Sequence, residues 1–159
     1  MPLIKNGAIE QDDWLFLADD APLPAGGPVI VSLARWRLEA ENLRARGAAL
    51  GLLLQSGESA EEIAPDLPAF KLIALDFPTF RDGRPYSTAR LLRERYGFAG
   101  ELRAVGDVAR DQFLFMHRCG FDAFQVADGT VAENWLRAVS EITVWYQAAG
   151  EARLQRGYR

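Results

Sequence analysis

From Pro28 onward the chain keeps returning to one pattern: a short apolar run, a polar or glycine break, then a segment with helical spacing. The runs are 29–31, 50–54, 71–75, 101–105 and 121–126, and the helical segments are 34–46, 59–63, 87–96, 107–119 and 130–140. Runs of this kind belong to strands covered on both faces, and parallel strands need crossovers of about this length. The predicted fold is α/β: an open three-layer sandwich around a mostly parallel sheet of about five strands. Five units are too few to close an eight-stranded barrel. The alternative is a half-barrel that completes itself as a homodimer.

Residues 1–27 read as an appendage to this core. Leu3-Ile4 and the run 14–17 are strand-like, with Asn6-Gly7 as a hairpin turn pair between them. An irregular connector with Asp19-Asp20 follows. The expectation is a single domain over 1–150, with a further strand-like run at 142–146. The tail 151–159 carries three arginines and is expected to be mobile. Local signals punctuate the helices: Ser59 and Glu62 form a capping box, Ser87 caps a helix that ends before Gly97, and Asp107 caps one that stops at Gly120.

Composition removes several function classes. With 159 residues, 49% of them apolar, the chain buries a core without covalent staples. Cys119 is the single cysteine and His117 the single histidine, so no multi-cysteine or histidine-rich metal site is expected. The strands are not followed by G-x-G-x-x-G, and neither a P-loop nor C-x-x-C occurs, so no cofactor is expected. A net charge of −4 is the wrong sign for a generic nucleic-acid binder. No apolar run approaches the roughly 20 residues of a membrane span, and the first residues lack the apolar core of a signal peptide. A soluble, cytoplasmic protein with neither nucleic-acid nor membrane partner is expected.

Charge is nevertheless uneven. Sixteen of the 18 basic residues are arginine, and eight of them fall between Arg81 and Arg118, giving that window a charge of +3. Parallel α/β sheets bind ligands beyond the carboxyl ends of their strands. That rule brings Ser32, Gln55-Ser56, Asp76, Gly106-Asp107 and Gln125 to one edge. The loop after Asp76 is the longest and most polar, and it leads into a helix start. A small oxyanion or carboxylate held by Arg84 and Ser87, with Tyr86, Asp82 and Arg81 around it, is the expectation here. The competing reading makes Asp82-Gly83 a turn, Ser87 a cap, and Arg84 the partner of Asp76 or Asp107. Asp76 and Asp107 are the candidate catalytic acid/base pair, with capping as the other role for Asp107. Arg103 interrupts a buried strand and needs a partner, for which Glu101, Asp76 and Asp122 are the candidates. Cys119 is expected as a buried structural thiol and His117 as a surface residue.

Several of these residues lie in a recognisable text. Asp76-Phe77, Asp82-Gly83-Arg84, Tyr86-Ser87 and the run 89–93 are followed by Tyr96-Gly97, the run 100–107, Asp111-Gln112 and the run 118–124. This resembles the bacterial domain-of-unknown-function 934 family, whose members are labelled as an oxidoreductase involved in sulfite reduction. The likeness is strong over 70–126. It implies a cytoplasmic role in assimilatory sulfur metabolism near the sulfite reductase system, and it supplies no catalytic residues. Reduction of sulfite needs metal or flavin centres, for which the chain carries no motif. The expected function is therefore an accessory one: binding a small oxyanion of the pathway, or docking on sulfite reductase system proteins. The alternatives are a small-molecule enzyme using Asp76, Arg84 and Asp107, and a protein-interaction module built on the apolar helix 107–119 and the arginine-bearing tail 151–159.

Overall fold

The structure, a computed structural model, describes residues 2–127, 131–137 and 140. The predicted strand at 142–146 and the tail 151–159 lie outside the described residues. In chain order the strands are β1 (Leu3–Lys5), β2 (Ala8–Glu10), β3 (Leu15–Phe16), β4 (Val29–Ser32), β5 (Leu50–Leu54), β6 (Leu72–Phe77), β7 (Glu101–Gly106) and β8 (Ala123–Gln125). Helix α1 (Leu33–Ala45) follows β4, α2 (Ala60–Ile63) follows β5, α3 (Arg84–Arg90) follows β6, and α4 (Phe113–Cys119) follows β7. Residues 131–137 are helical after β8.

All eight strands join one mixed sheet in the order β2-β1-β8-β7-β6-β5-β4-β3. From β3 to β8 neighbours are consecutive in sequence and parallel, whereas β1 runs antiparallel to both β8 and β2. Two expectations are corrected here. The sheet is larger than five strands and mixed, and the N-terminal hairpin is part of it rather than an appendage. Asn6 and Gly7, at φ of 54° and 74°, join β1 to β2, as a two-residue hairpin turn requires. The run 14–17, expected as the second hairpin strand, instead supplies β3 at the opposite edge.

The three-layer expectation is corrected by the same topology. Parallel strands in sequential order with right-handed crossovers place every connecting helix on one face. Leu33, Leu43, Ile63, Leu92 and Met116 accordingly share one core with Val31, Leu52, Leu75, Leu102 and Phe124. The alternate strand residues Ile30, Leu72, Ala74 and Val105 form a second, smaller cluster on the other face, against Trp14 and Leu53. Among the described residues no second helix layer covers that face; the residues linking β2 to β3 do.

This link also bends the sheet. Across a flat sheet of eight strands, edges seven steps apart at roughly 4.8 Å would be separated by about 34 Å. The five peptide units from Glu10 to Leu15 span at most about 18 Å. The sheet therefore curls until its edges approach each other, and residues 11–14 cross the concave side as a strap. Two contacts fasten it. Trp14 lies over Gly51, where an added Cβ would come within 3.2 Å of the indole and 2.9 Å of Ile30. Asp12 accepts a hydrogen bond from Arg103 Nη1 at 2.8 Å, while Glu101 accepts from Arg103 Nε at 2.9 Å and from Lys5 Nζ at 2.7 Å. Arg103 is only 1% exposed, so both carboxylates are needed to offset the loss of hydration. Of its expected partners, Glu101 is correct and Asp76 and Asp122 are not.

The amino edge of the sheet is held by Arg93, which lies in a π-helical turn (Leu91–Arg95) continuing α3. Its Nε and Nη2 donate to the Gly120 carbonyl, its Nη1 to the carbonyls of Phe98 and Gly100, and its Nη2 also to Asp122. Gly120 ends α4 at φ 108°, and a Cβ there would sit 2.6 Å from Arg93 Cγ.

Removing Asp12 leaves Arg103 with one carboxylate. Asp12→Ala is expected to lower unfolding free energy by about 3 kcal/mol, and Arg103→Met with Asp12→Leu to recover most of it, measured by urea denaturation. Arg93→Lys keeps the charge but loses the planar fork. A loss of about 2 kcal/mol is expected in the same assay, although Lys would be the milder change at an exposed site.

Candidate functional site at the carboxyl edge of the sheet

The loops after β5, β6 and β7 meet at the carboxyl edge, as the strand order requires. The loop after β6 is tied down at three points. Asp107 donates its N–H to the Phe77 carbonyl at 2.7 Å and accepts the Phe80 N–H on Oδ2 at 2.9 Å. Asp82 accepts the Arg84 N–H at 3.0 Å and the Arg84 guanidinium through Nε at 3.0 Å and Nη2 at 2.7 Å. Ser56, from the loop after β5, lies close enough to Asp82 to help hold its carboxyl down.

These contacts change the roles expected for four residues. Helix α3 starts at Arg84 with Pro85 in its first turn, so Ser87 lies inside the helix and caps nothing. Asp107 caps no helix either. A 3₁₀ turn (Arg110–Gln112) intervenes, and α4 begins at Phe113 without a side-chain cap. Both serine and aspartate were read as caps because those residue types before a helical run carry that signal; proline and loop geometry decided otherwise. At the start of α3 the Asp82 carboxylate accepts from the Arg84 N–H, Nε and Nη2, and no hydrogen bond among the described residues uses Arg84 Nη1. Arg84 pairs with Asp82, not with Asp76 or Asp107. Tyr86 is buried, with its ring against Phe77 at 5.1 Å and Phe115 at 4.6 Å and its hydroxyl directed at Gln112. It belongs to the α3–α4 packing rather than to the loop. Arg81 lies over the Phe80 ring at 5.4 Å, and both are exposed.

Asp76 is different. Its half-buried side chain stands at the end of β6, on the face that carries Val105, and forms no hydrogen bond or ion pair among the described residues. Gly106 makes room for it. At φ 86°, a Cβ on that residue would fall 2.4 Å from the Phe77 carbonyl and 2.6 Å from Asp76 Oδ1. Burial, with the nearby Asp82 charge adding to it, pushes the Asp76 carboxyl up. Hydrogen bonds from the Arg84 side chain and backbone hold the Asp82 carboxyl well below the ordinary aspartate range. Two aspartates six residues apart are thus driven in opposite directions, one by lost hydration and one by donated hydrogen bonds.

Cys119 and His117 lie where the sequence placed them, the thiol buried and the imidazole exposed against the Phe113 ring at 5.9 Å. Burial raises the thiol, which suits a structural role. Sequence reasoning did not find Asp12 or the clamp formed by Arg93. Their partners are up to 91 residues away and no local spacing signals them.

The opposed shifts predict that carboxyl carbon titration by NMR places the Asp76 midpoint above 3.8 and the Asp82 midpoint below it. The Asp82 contribution to stability is then present above 3.8 and lost as pH falls through its lower folded value. The Asp76 term runs the other way: it favours the folded state below 3.8 and is lost as pH rises through its raised folded value.

Comparison with known proteins fits the residues that first drew attention to this segment. No curated protein and no solved structure matches the chain. The model of a family described as bacterial protein of unknown function (DUF934) matches residues 51–155, a stretch that holds the carboxyl-edge loops from β5 onward and the Arg93 clamp. The chain belongs to this family of bacterial proteins of unknown function.

Proposed function

We propose that the protein is an accessory component of assimilatory sulfite reduction, working in the cytoplasm and acting by docking on sulfite reductase system proteins. The pathway comes from the label carried by the family resemblance. The choice of docking over capture of a small oxyanion rests on the loop after β6. Asp82 already holds the Arg84 N–H, Nε and Nη2, while Asp107 ties the loop at Phe80 N–H and Phe80 and Arg81 are exposed. Phe80 is 46% exposed. A fixed loop that holds an aromatic ring and a guanidinium outward loses little entropy on association, and these residue types dominate binding energy at protein interfaces.

Asp76 favours a second reading, a small-molecule enzyme with its site on the concave side of the carboxyl edge. A half-buried carboxyl left without a partner is what a proton-transfer group requires. Arg84 and Asp107 are not catalytic in this reading; they hold the loop.

The two readings separate experimentally. Under the docking reading, the tagged protein co-purifies with holo-sulfite reductase from its own cell, and Asp76→Asn has no effect on that association. Failure to associate at any protein concentration tested overturns it. Under the enzyme reading, Asp76→Asn abolishes turnover while its melting temperature at neutral pH equals or exceeds that of the unaltered chain, because a charge disfavoured by burial has been removed.

A further inference from the structure

At one edge of the sheet, β8, β1 and β2 lie side by side, and their register sets Phe124, Ile4 and Ile9 in one row. Residues opposite each other on neighbouring strands share a face, and Phe124 and Ile4 belong to the core on the helical face. The row is covered at one end and bare at the other. Phe113 of α4 stands 5.0 Å from the Phe124 ring, and Trp135, in the helical residues 131–137, stands 5.3 Å from it. Ile9 is 46% exposed, as part of a strand exposed at every residue. Between them lies a groove of about 360 Å³, lined by Ile4, Phe124, Phe113, His117 and the Asn6-Gly7 turn.

The chain itself arrives at this groove. Trp135 rests on Phe113 and Phe124, both of which line it. Ser140 is helical still, its hydroxyl donating to the Arg137 carbonyl at 2.8 Å. Two residues later the sequence turns to Ile142-Thr143-Val144-Trp145-Tyr146, β-branched or aromatic at every position. When extended, Ile142, Val144 and Tyr146 present one apolar side. From Ser140 an extended chain reaches about 20 Å by Tyr146, twice the roughly 10 Å that two strand spacings put between Phe124 and Ile9. The family match continues to residue 155, so the run is part of the family's domain and not an addition to it.

We propose that residues 142–146 dock on the helical face of their own chain over β1 and β2, with side chains in the groove and against Ile9. Removal of Ile9 and the run's apolar side from water drives the contact. The occupant is the same chain and not a second copy, because a run that begins two residues after Ser140 meets the groove at an effective concentration on the order of millimolar.

Hydrogen exchange of the full chain, followed by mass spectrometry and NMR, tests this. In the unaltered protein, amides 142–146 are expected to exchange at least tenfold more slowly than in a free peptide of that sequence, equally across a hundredfold range of protein concentration. His117→Trp puts a bulky ring into the groove from an exposed position of α4, and Val144→Asp charges the run. Each is expected to return 142–146 to the free-peptide rate and to move the Asn6 and Gly7 amide signals, while amides of β6 and β7 keep their protection. Lost protection in β6 and β7 would mark a variant that fails to fold; Ile9→Lys, on exposed β2, then carries the same expectation. Free-peptide exchange of 142–146 in the unaltered chain overturns the proposal. Protection that grows with concentration also overturns it, making the occupant a second copy. Protection lost in Val144→Asp but kept in His117→Trp and Ile9→Lys seats the run elsewhere, and protection kept in all three is internal to the run; either result overturns the groove as its site.

Discussion

Four residues between β2 and β3 set the shape of this protein. Because the first hairpin pairs with the last described strand while β3 pairs with β4, the chain must pass from one edge of the sheet to the other at the outset. A flat sheet cannot satisfy that connection with so short a link, so curvature follows from chain length rather than from side-chain preference. The buried guanidinium of Arg103 then converts a geometric necessity into a fixed arrangement. It meets Asp12 from the strap and Glu101 from its own strand, and Glu101 in turn holds Lys5 of β1. One network thereby joins the strap, the middle of the sheet and the hairpin.

Curvature has a consequence for where chemistry can occur. On the helical face, apolar packing runs from α1 to α4. On the concave face, among the described residues, the strap with Trp14 packs against a few aliphatic side chains. Asp76 stands where that filling ends, at the carboxyl end of β6. It keeps its carboxyl half-buried and unpaired among the described residues because the two arginines expected as its partners, Arg84 and Arg103, are committed elsewhere. The amino edge shows the opposite economy. There Arg93 spends each of its nitrogens on carbonyls or carboxylate, so that edge is a fastening.

How much of this was legible in the sequence depends on the range of the interaction responsible. Strands β4 to β7 and helix α1 were recovered within two residues, because apolar periodicity, Ser32 and Gly47 are local signals. The convergence of Asp76, Ser56 and Asp107 on one edge was also readable, since parallel strands dictate it. The roles of Ser87 and Asp107 were not, because a capping residue and a loop tie look alike until the helix start is located. Pro85 offered the better signal, as proline favours the first turn. The eight-stranded order was out of reach for a different reason. Nothing in Leu3–Lys5 or Leu15–Phe16 says which edge each will join, and the choice is made by Asp12 and Trp14 acting across the whole sheet.

The resemblance that singled out residues 70–126 thus covers two kinds of residue with different physical duties. Arg93, Gly100, Gly120 and Asp122 close the amino edge, where a side chain on Gly120 would collide with Arg93 and one on Gly100 would come within 2.6 Å of the Lys71 carbonyl. Gly106, Asp107, Asp82 and Arg84 shape the carboxyl edge through contacts within the chain. What remains after these are accounted for is small: the carboxyl of Asp76 on the concave side, unpaired among the described residues, and the exposed Phe80 and Phe115 rings. Asp107 ties the loop at Phe77 and Phe80, and the backbone of the preceding Gly106 packs against the Asp76 carboxyl, so the strand end that fixes the loop after β6 also shapes the space around Asp76.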